Sequence, residues 1–120
     1  MEDWRLGAVE SRFADIIWHN EPLTTARLVA LCAESLNWKR TTTYTVLKRL
    51  SDRGIFKNDG GTVTSLMSRE AFYGHQSRRF VEESFSGSLP AFLAAFSAHK
   101  PLTEAEVADI RRLLDNYKEG

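Results

Sequence analysis

Between Lys39 and Gly54 the chain concentrates cations and hydroxyls in one short stretch, Lys39-Arg40-Thr41-Thr42-Thr43-Tyr44-Thr45-Val46-Leu47-Lys48-Arg49-Leu50. These groups suit ionic and hydrogen-bond contact with a polyanion. The spacing predicts a helix from about Thr41 to Arg53, with Gly54 just past its end, where a left-handed residue is favoured. Thr43, Val46, Leu47 and Leu50 recur at three- and four-residue intervals and form one apolar stripe. Thr41, Thr45 and Lys48 then point the opposite way, flanked by Tyr44 on one side and by Thr42 and Arg49 on the other. No acid stands on that outward face before Asp52. A plainer reading stays open, since threonines at a helix start also cap free N–H groups.

Other chemistry finds little support. His19, His75 and His99 are far apart, and no pair has metal-ligand spacing. The single cysteine, Cys32, lies in the apolar run Leu28-Val29-Ala30-Leu31-Cys32-Ala33 and reads as a small core residue. Gly60-Gly61 lacks the following lysine and helix start of a phosphate loop. Glu82 and Glu83 are adjacent, so on a helix they diverge. No nucleophile has a base beside it. The expectation is a protein that is not an enzyme and needs no metal or cofactor.

The chain has 120 residues, 42% hydrophobic and 27% charged, in keeping with one domain or a small domain with an appendage. Sixteen basic residues balance sixteen acidic ones, so a protein that merely coats nucleic acid is not indicated. The basic surface is local: Lys39, Arg40, Lys48, Arg49, Arg53 and Lys57 face only Asp52 in their stretch. One cysteine excludes an internal disulfide, no apolar run is long enough to cross a bilayer, and the acidic N-terminus does not resemble a signal peptide. A cytoplasmic protein is expected.

The elements around the basic helix follow from periodicity. Leu6, Val9, Phe13, Ile16 and Ile17 share a helical face closed by Trp18, and His19-Asn20-Glu21-Pro22 ends that helix. Leu23-Thr24 is a brief extended segment, Thr25 a cap for a second helix to about Leu36, and Asn37-Trp38 a turn into the third. Ile55-Phe56-Lys57-Asn58 and Val63-Thr64-Ser65-Leu66-Met67 read as strands around Asp59-Gly60-Gly61-Thr62. Three helices and a hairpin make a winged helix-turn-helix over 1–67.

The remaining 68–120 reads as three more helices. The first is capped by Ser68 and runs to about Ser84, the second covers Leu89–Phe96, and Thr103 with Glu106 caps the third. Val107, Ile110, Leu113, Leu114 and Tyr117 are expected as its buried stripe. Phe80, Phe85, Leu89, Phe92, Leu93, Phe96, Val107, Ile110 and Leu114 are more large apolar groups than three short helices can bury. They could fold back onto the winged helix or pack against a second copy of the chain, and the second is the expectation. The fold class is therefore mostly α with a small β-hairpin, a winged helix-turn-helix followed by a three-helix dimerisation arm.

These pieces, in order and spacing, resemble the penicillinase-repressor family of bacterial transcriptional regulators. The resemblance rests on Val9–Trp18 with Pro22-Leu23-Thr24, on Trp38–Leu50 with Arg53-Gly54, on Ser65-Leu66-Met67-Ser68-Arg69-Glu70, on Gly87–Phe96, and on Leu102-Thr103-Glu104-Ala105-Glu106. It implies a homodimer that represses genes by binding a two-fold operator on double-stranded DNA, in the best-known members genes of β-lactam resistance. The family's contact positions map onto Thr41, Thr42, Tyr44, Thr45 and Arg49. Helical geometry adds Lys48, and Lys39, Arg40, Lys48 and Arg49 are expected to hold phosphates. In many members a membrane sensor–protease system triggers a cut between Asn and Phe in the arm; here Ala95 precedes Phe96, which argues against that induction. The clustered C-terminal cysteines of the copper-responsive branch have no counterpart, and Thr62-Val63-Thr64-Ser65 lacks the basic wing residues of many relatives. Two other readings share the fold: a protein-interaction module whose basic helix meets an acidic partner, and a sensor whose aromatic arm encloses an apolar ligand.

Overall fold

The computed structural model describes residues 6–117. Contacts divide the chain into two compact units, Met1–Ser77 and Arg78–Gly120. The order of elements is α1 (Ala8–Asn20), β1 (Leu23–Thr24), α2 (Thr25–Leu36), α3 (Arg40–Asp52), β2 (Phe56–Asp59), β3 (Thr62–Ser65), α4 (Arg69–Phe85), α5 (Leu89–His99) and α6 (Glu104–Asn116). The fold is mostly helical with a small antiparallel sheet, as the winged helix-turn-helix reading requires.

In the first unit the core is built from the stripes that periodicity picked out. Phe13 and Ile17 of α1, Leu28 of α2, Leu50 of α3, and Ile55, Phe56, Val63 and Phe72 are completely buried. Each such side chain contributes about 1.5–3 kcal/mol of gross hydrophobic stabilisation. Trp18 joins helix, sheet and arm start: its ring lies 5.3 Å from Phe56, 5.6 Å from Phe72 and 5.9 Å from Tyr73. Its indole Nε1 donates to the Met67 carbonyl at 3.0 Å, so a half-buried polar group keeps a partner.

The strand order is β1-β3-β2, all antiparallel. Leu23 pairs with Val63 and Thr24 with Thr62, which turns the expected brief extended segment into a third strand. Gly60 and Gly61 connect β2 to β3 with φ of 61° and 95°, the two positive angles that a tight hairpin turn demands. Asn58 Oδ1 accepts from the Gly61 N–H at 3.0 Å. The Glu21 carboxylate accepts from both the N–H and the hydroxyl of Ser65, fastening the end of α1 to the wing.

Several boundaries differ from the sequence expectation. The cap of α2 is Thr24, whose hydroxyl oxygen accepts from the Arg27 N–H at 3.0 Å; Thr25 already belongs to the helix. A threonine pair leaves the choice open, and pairing of Thr24 with the wing decides it, because a cap residue has extended backbone. Helix α1 starts at Ala8 rather than Leu6 and α3 at Arg40 rather than Thr41. Met67 falls outside β3, and α5 continues past Phe96 to His99. Gly54 has the expected positive φ, 83°.

The second unit contains the rest of α4, then α5 and α6. Ser86 and Gly87, with φ of 52° and 82°, break the chain between α4 and α5. Ser88 Oγ accepts from the Ala91 N–H at 3.1 Å, with Pro90 in the first turn of α5. Thr103 and Glu106 form the expected reciprocal capping box at 3.0 and 2.9 Å.

Candidate nucleic-acid interface

Helix α3 is fixed from behind and open in front. Thr43, Val46, Leu47 and Leu50 are 1%, 6%, 3% and 0% exposed, confirming the inward stripe. Ahead of the helix, Asn37 takes a left-handed conformation at φ 57°, and Trp38 stacks on Phe13 with centroids 5.4 Å apart. The turn between α2 and α3 is thereby anchored in the core. Thr43 stays buried because its hydroxyl donates to the Lys39 carbonyl at 3.2 Å. Beside it, burial raises the pKa of the Cys32 thiol and a hydrogen bond with Thr43 pulls it partly back. Cys32 is buried and unpaired, a core residue.

On the other side of α3, Lys39, Arg40, Thr41, Thr42, Thr45, Lys48 and Arg49 are exposed and Tyr44 is half-buried. The structure thus gathers all eight expected contact residues on one helix and its cap. Their settings differ. Thr45 Oγ1 donates to the Thr41 carbonyl at 2.9 Å, which leaves its methyl and lone pairs outward. Lys48 pairs with Asp52 at 3.2 Å, both largely solvated. Arg40 places its guanidinium over the Tyr44 ring, 5.4 Å from the centroid. Arg49 donates through Nη1 to Oε2 of Glu10 on α1. Glu10 was missed from sequence, because a pair separated by 39 positions leaves no local pattern. Lys57 on β2 is exposed and pairs in register with Thr64, and exposed Asp59 lies two positions further along the same strand.

A family model described as penicillinase repressor matches residues 6–116. The chain belongs to the penicillinase repressor family. Membership makes it a transcriptional repressor by class, and the winged unit with its outward α3 is the part that suits DNA. No curated protein matches the chain. Among the described residues no group of three or more His, Cys, Asp or Glu is arranged to hold a metal, and no helix is long and apolar enough to cross a membrane.

The arm of this penicillinase repressor family member has an aromatic cluster of its own. Phe80, Phe85 and Phe92 meet edge to face at 5.6–6.1 Å, and Phe96 lies 5.9 Å from Phe92. Phe85, Phe92, Leu93, Val107 and Ile110 are half-buried. Phe80, Leu89, Phe96 and Leu114 are 52–63% exposed. The expected buried stripe of α6 needs correction: in the single chain Val107 and Ile110 are half-buried, whereas Leu113, Leu114 and Tyr117 are 69%, 63% and 76% exposed. Ala95 and Phe96 are exposed but helical, in a segment where Ser97 Oγ donates to the Leu93 carbonyl at 2.8 Å.

Proposed function

We propose that the protein acts as a homodimer that represses transcription by binding a two-fold DNA operator. The observation that carries this reading is the outward face of α3, where hydroxyls and cations stand exposed above a fully buried apolar stripe. Thr41, Thr42, Tyr44 and Thr45 lie toward the N-terminal half of the helix, the part that meets base edges and thymine methyls when a recognition helix enters the major groove. Lys39, Lys48 and Arg49 hold phosphates and set the register. The wing, with Lys57 as its cation, adds a weaker backbone contact.

A two-fold operator requires two such helices about 34 Å apart. The exposed Phe80, Leu89, Phe96, Leu113, Leu114 and Tyr117 give the arm an apolar surface for a second copy, which fixes that distance. Derepression by a cut at Ala95-Phe96 is not part of this reading, since both residues sit within α5 and the expected asparagine is alanine.

Selection of binding sites from random duplex DNA at fixed, near-physiological salt tests the proposal. The expected result is an inverted repeat with half-sites one turn apart, and promoters carrying it name the regulated genes. Binding without a motif, abolished by modest salt, would instead mark α3 as a docking face for an acidic protein.

A further inference from the structure

The cations of α3 do not have equivalent surroundings. Lys48 is paired with Asp52 and Arg49 with Glu10, so each already has a carboxylate at its charged end. Arg40, the first residue of the helix, has no acidic partner among the described residues. Its guanidinium lies over the face of Tyr44, one turn further along.

That difference changes what each group can recognise. A cation held by a carboxylate is partly neutralised and acts on a phosphate chiefly as a charge. A guanidinium held near an aromatic ring, with no carboxylate on its N–H groups, keeps its five donors for another partner. Two of those donors in parallel match the O6 and N7 acceptors of guanine in the major groove. The position agrees, because the N-terminal residues of a recognition helix reach base edges while later residues reach the backbone. The contact with Tyr44 also removes part of the rotamer freedom that a long side chain otherwise loses on binding.

We propose that Arg40 is a specificity-determining residue that reads one guanine in each half-site, with Tyr44 as the residue that positions it. This moves Arg40 from the phosphate contacts, where charge alone places it, to the base contacts. The inference rests on the two-fold operator reading above and identifies part of its sequence.

The test uses the full chain and its Arg40→Ala and Tyr44→Leu variants in the same random-duplex selection, followed by titration of the selected site. Arg40 is exposed at the helix start, and an unchanged circular dichroism spectrum shows that the variants fold. Arg40→Ala is expected to lose preference for a G·C pair at one position per half-site, weakening the cognate site about tenfold or more while sparing sites that lack that pair. Tyr44→Leu weakens preference at the same position. Replacing that guanine by 7-deazaguanine, which lacks the N7 acceptor, weakens the wild type and leaves Arg40→Ala unaffected. Uniform weakening of all sequences by Arg40→Ala, with a salt slope lower by about one unit, would make Arg40 a phosphate contact and overturn the proposal. A wild-type protein that selects no motif would overturn the operator reading and this inference with it, a different result from a motif that Arg40→Ala leaves intact.

Discussion

Arg49 on α3 donates through Nη1 to Oε2 of Glu10 on α1, while Glu10 Oε1 accepts from the Gly7 N–H at 3.3 Å. One carboxylate therefore caps α1 and holds a cation of α3. Arg49 uses one of its five donors in this pair, and its side chain remains 48% exposed against 19% for Glu10. The pair thus holds the guanidinium on the exposed side of α3.

Arg49→Ala is expected to weaken binding to every DNA sequence alike and to lower the slope of log K against log salt by about one unit. The stability loss should stay under about 1 kcal/mol, because the pair is partly solvated. Glu10→Gln keeps a group able to close the α1 cap and removes the charge pair. Anisotropy titrations across a salt series, with urea unfolding alongside, separate the two effects. An unchanged slope for Arg49→Ala would take Arg49 out of the phosphate set.

Thr45 carries a different prediction because its hydroxyl already donates within the helix. What it leaves for a partner is a methyl group and acceptor lone pairs. Thr45→Ala should therefore blur preference at one or two base pairs, at a cost of about 1–3 kcal/mol on the correct sequence. Folding stability should hold or rise by a few tenths of a kcal/mol, since alanine is the better helix former. A site-selection profile identical to the wild type would exclude Thr45 from base reading.

The parts of the fold legible in the sequence were those with a local period or a local cap. The stripe Thr43, Val46, Leu47 and Leu50, the Thr103–Glu106 box and the Gly60-Gly61 turn each depend on residues within a few positions of one another. The division of α3 into a buried stripe and an exposed face was legible for the same reason. Features set by distant chain segments were not. The Glu10–Arg49 pair, the pairing of Leu23-Thr24 with β3, and the consequent choice of Thr24 as cap all arise from tertiary placement. The α6 stripe failed in another way. Its periodicity correctly marked an apolar face, but a period cannot say whether the covering partner lies in the same chain.

Cys32 gives a prediction about pH. The thiol is completely buried, and burial raises its pKa above the ordinary 9.0. The unfolded chain therefore releases this proton first as pH rises. The thiol's contribution is whole below pH 9.0 and is lost as pH climbs through the higher folded value. Native protein should resist a thiol reagent at pH 8 and react only at its unfolding rate. Cys32→Ala should flatten the alkaline fall in stability measured by urea unfolding. Rapid labelling of native protein would show that the α2–α3 contact opens readily.

The arm can be tested without disturbing its own packing. Phe92→Asp would strike a ring in contact with Phe80, Phe85 and Phe96, so its failure to dimerise would be confounded with loss of folding. Leu114 is the better probe: it is 63% exposed on α6, so an aspartate there meets solvent in the single chain. If the arm joins two copies through this face, Leu114→Asp buries an unpaired carboxylate at the junction, a penalty large enough to separate them. The variant should sediment as a monomer at micromolar concentrations where the wild type is a dimer, with the same helical content. Its operator affinity should fall steeply, because each recognition helix then binds alone. A wild type that stays monomeric at every concentration would remove the dimeric arm. An unaffected Leu114→Asp dimer would shift the contact to the Phe80, Leu89 and Phe96 face.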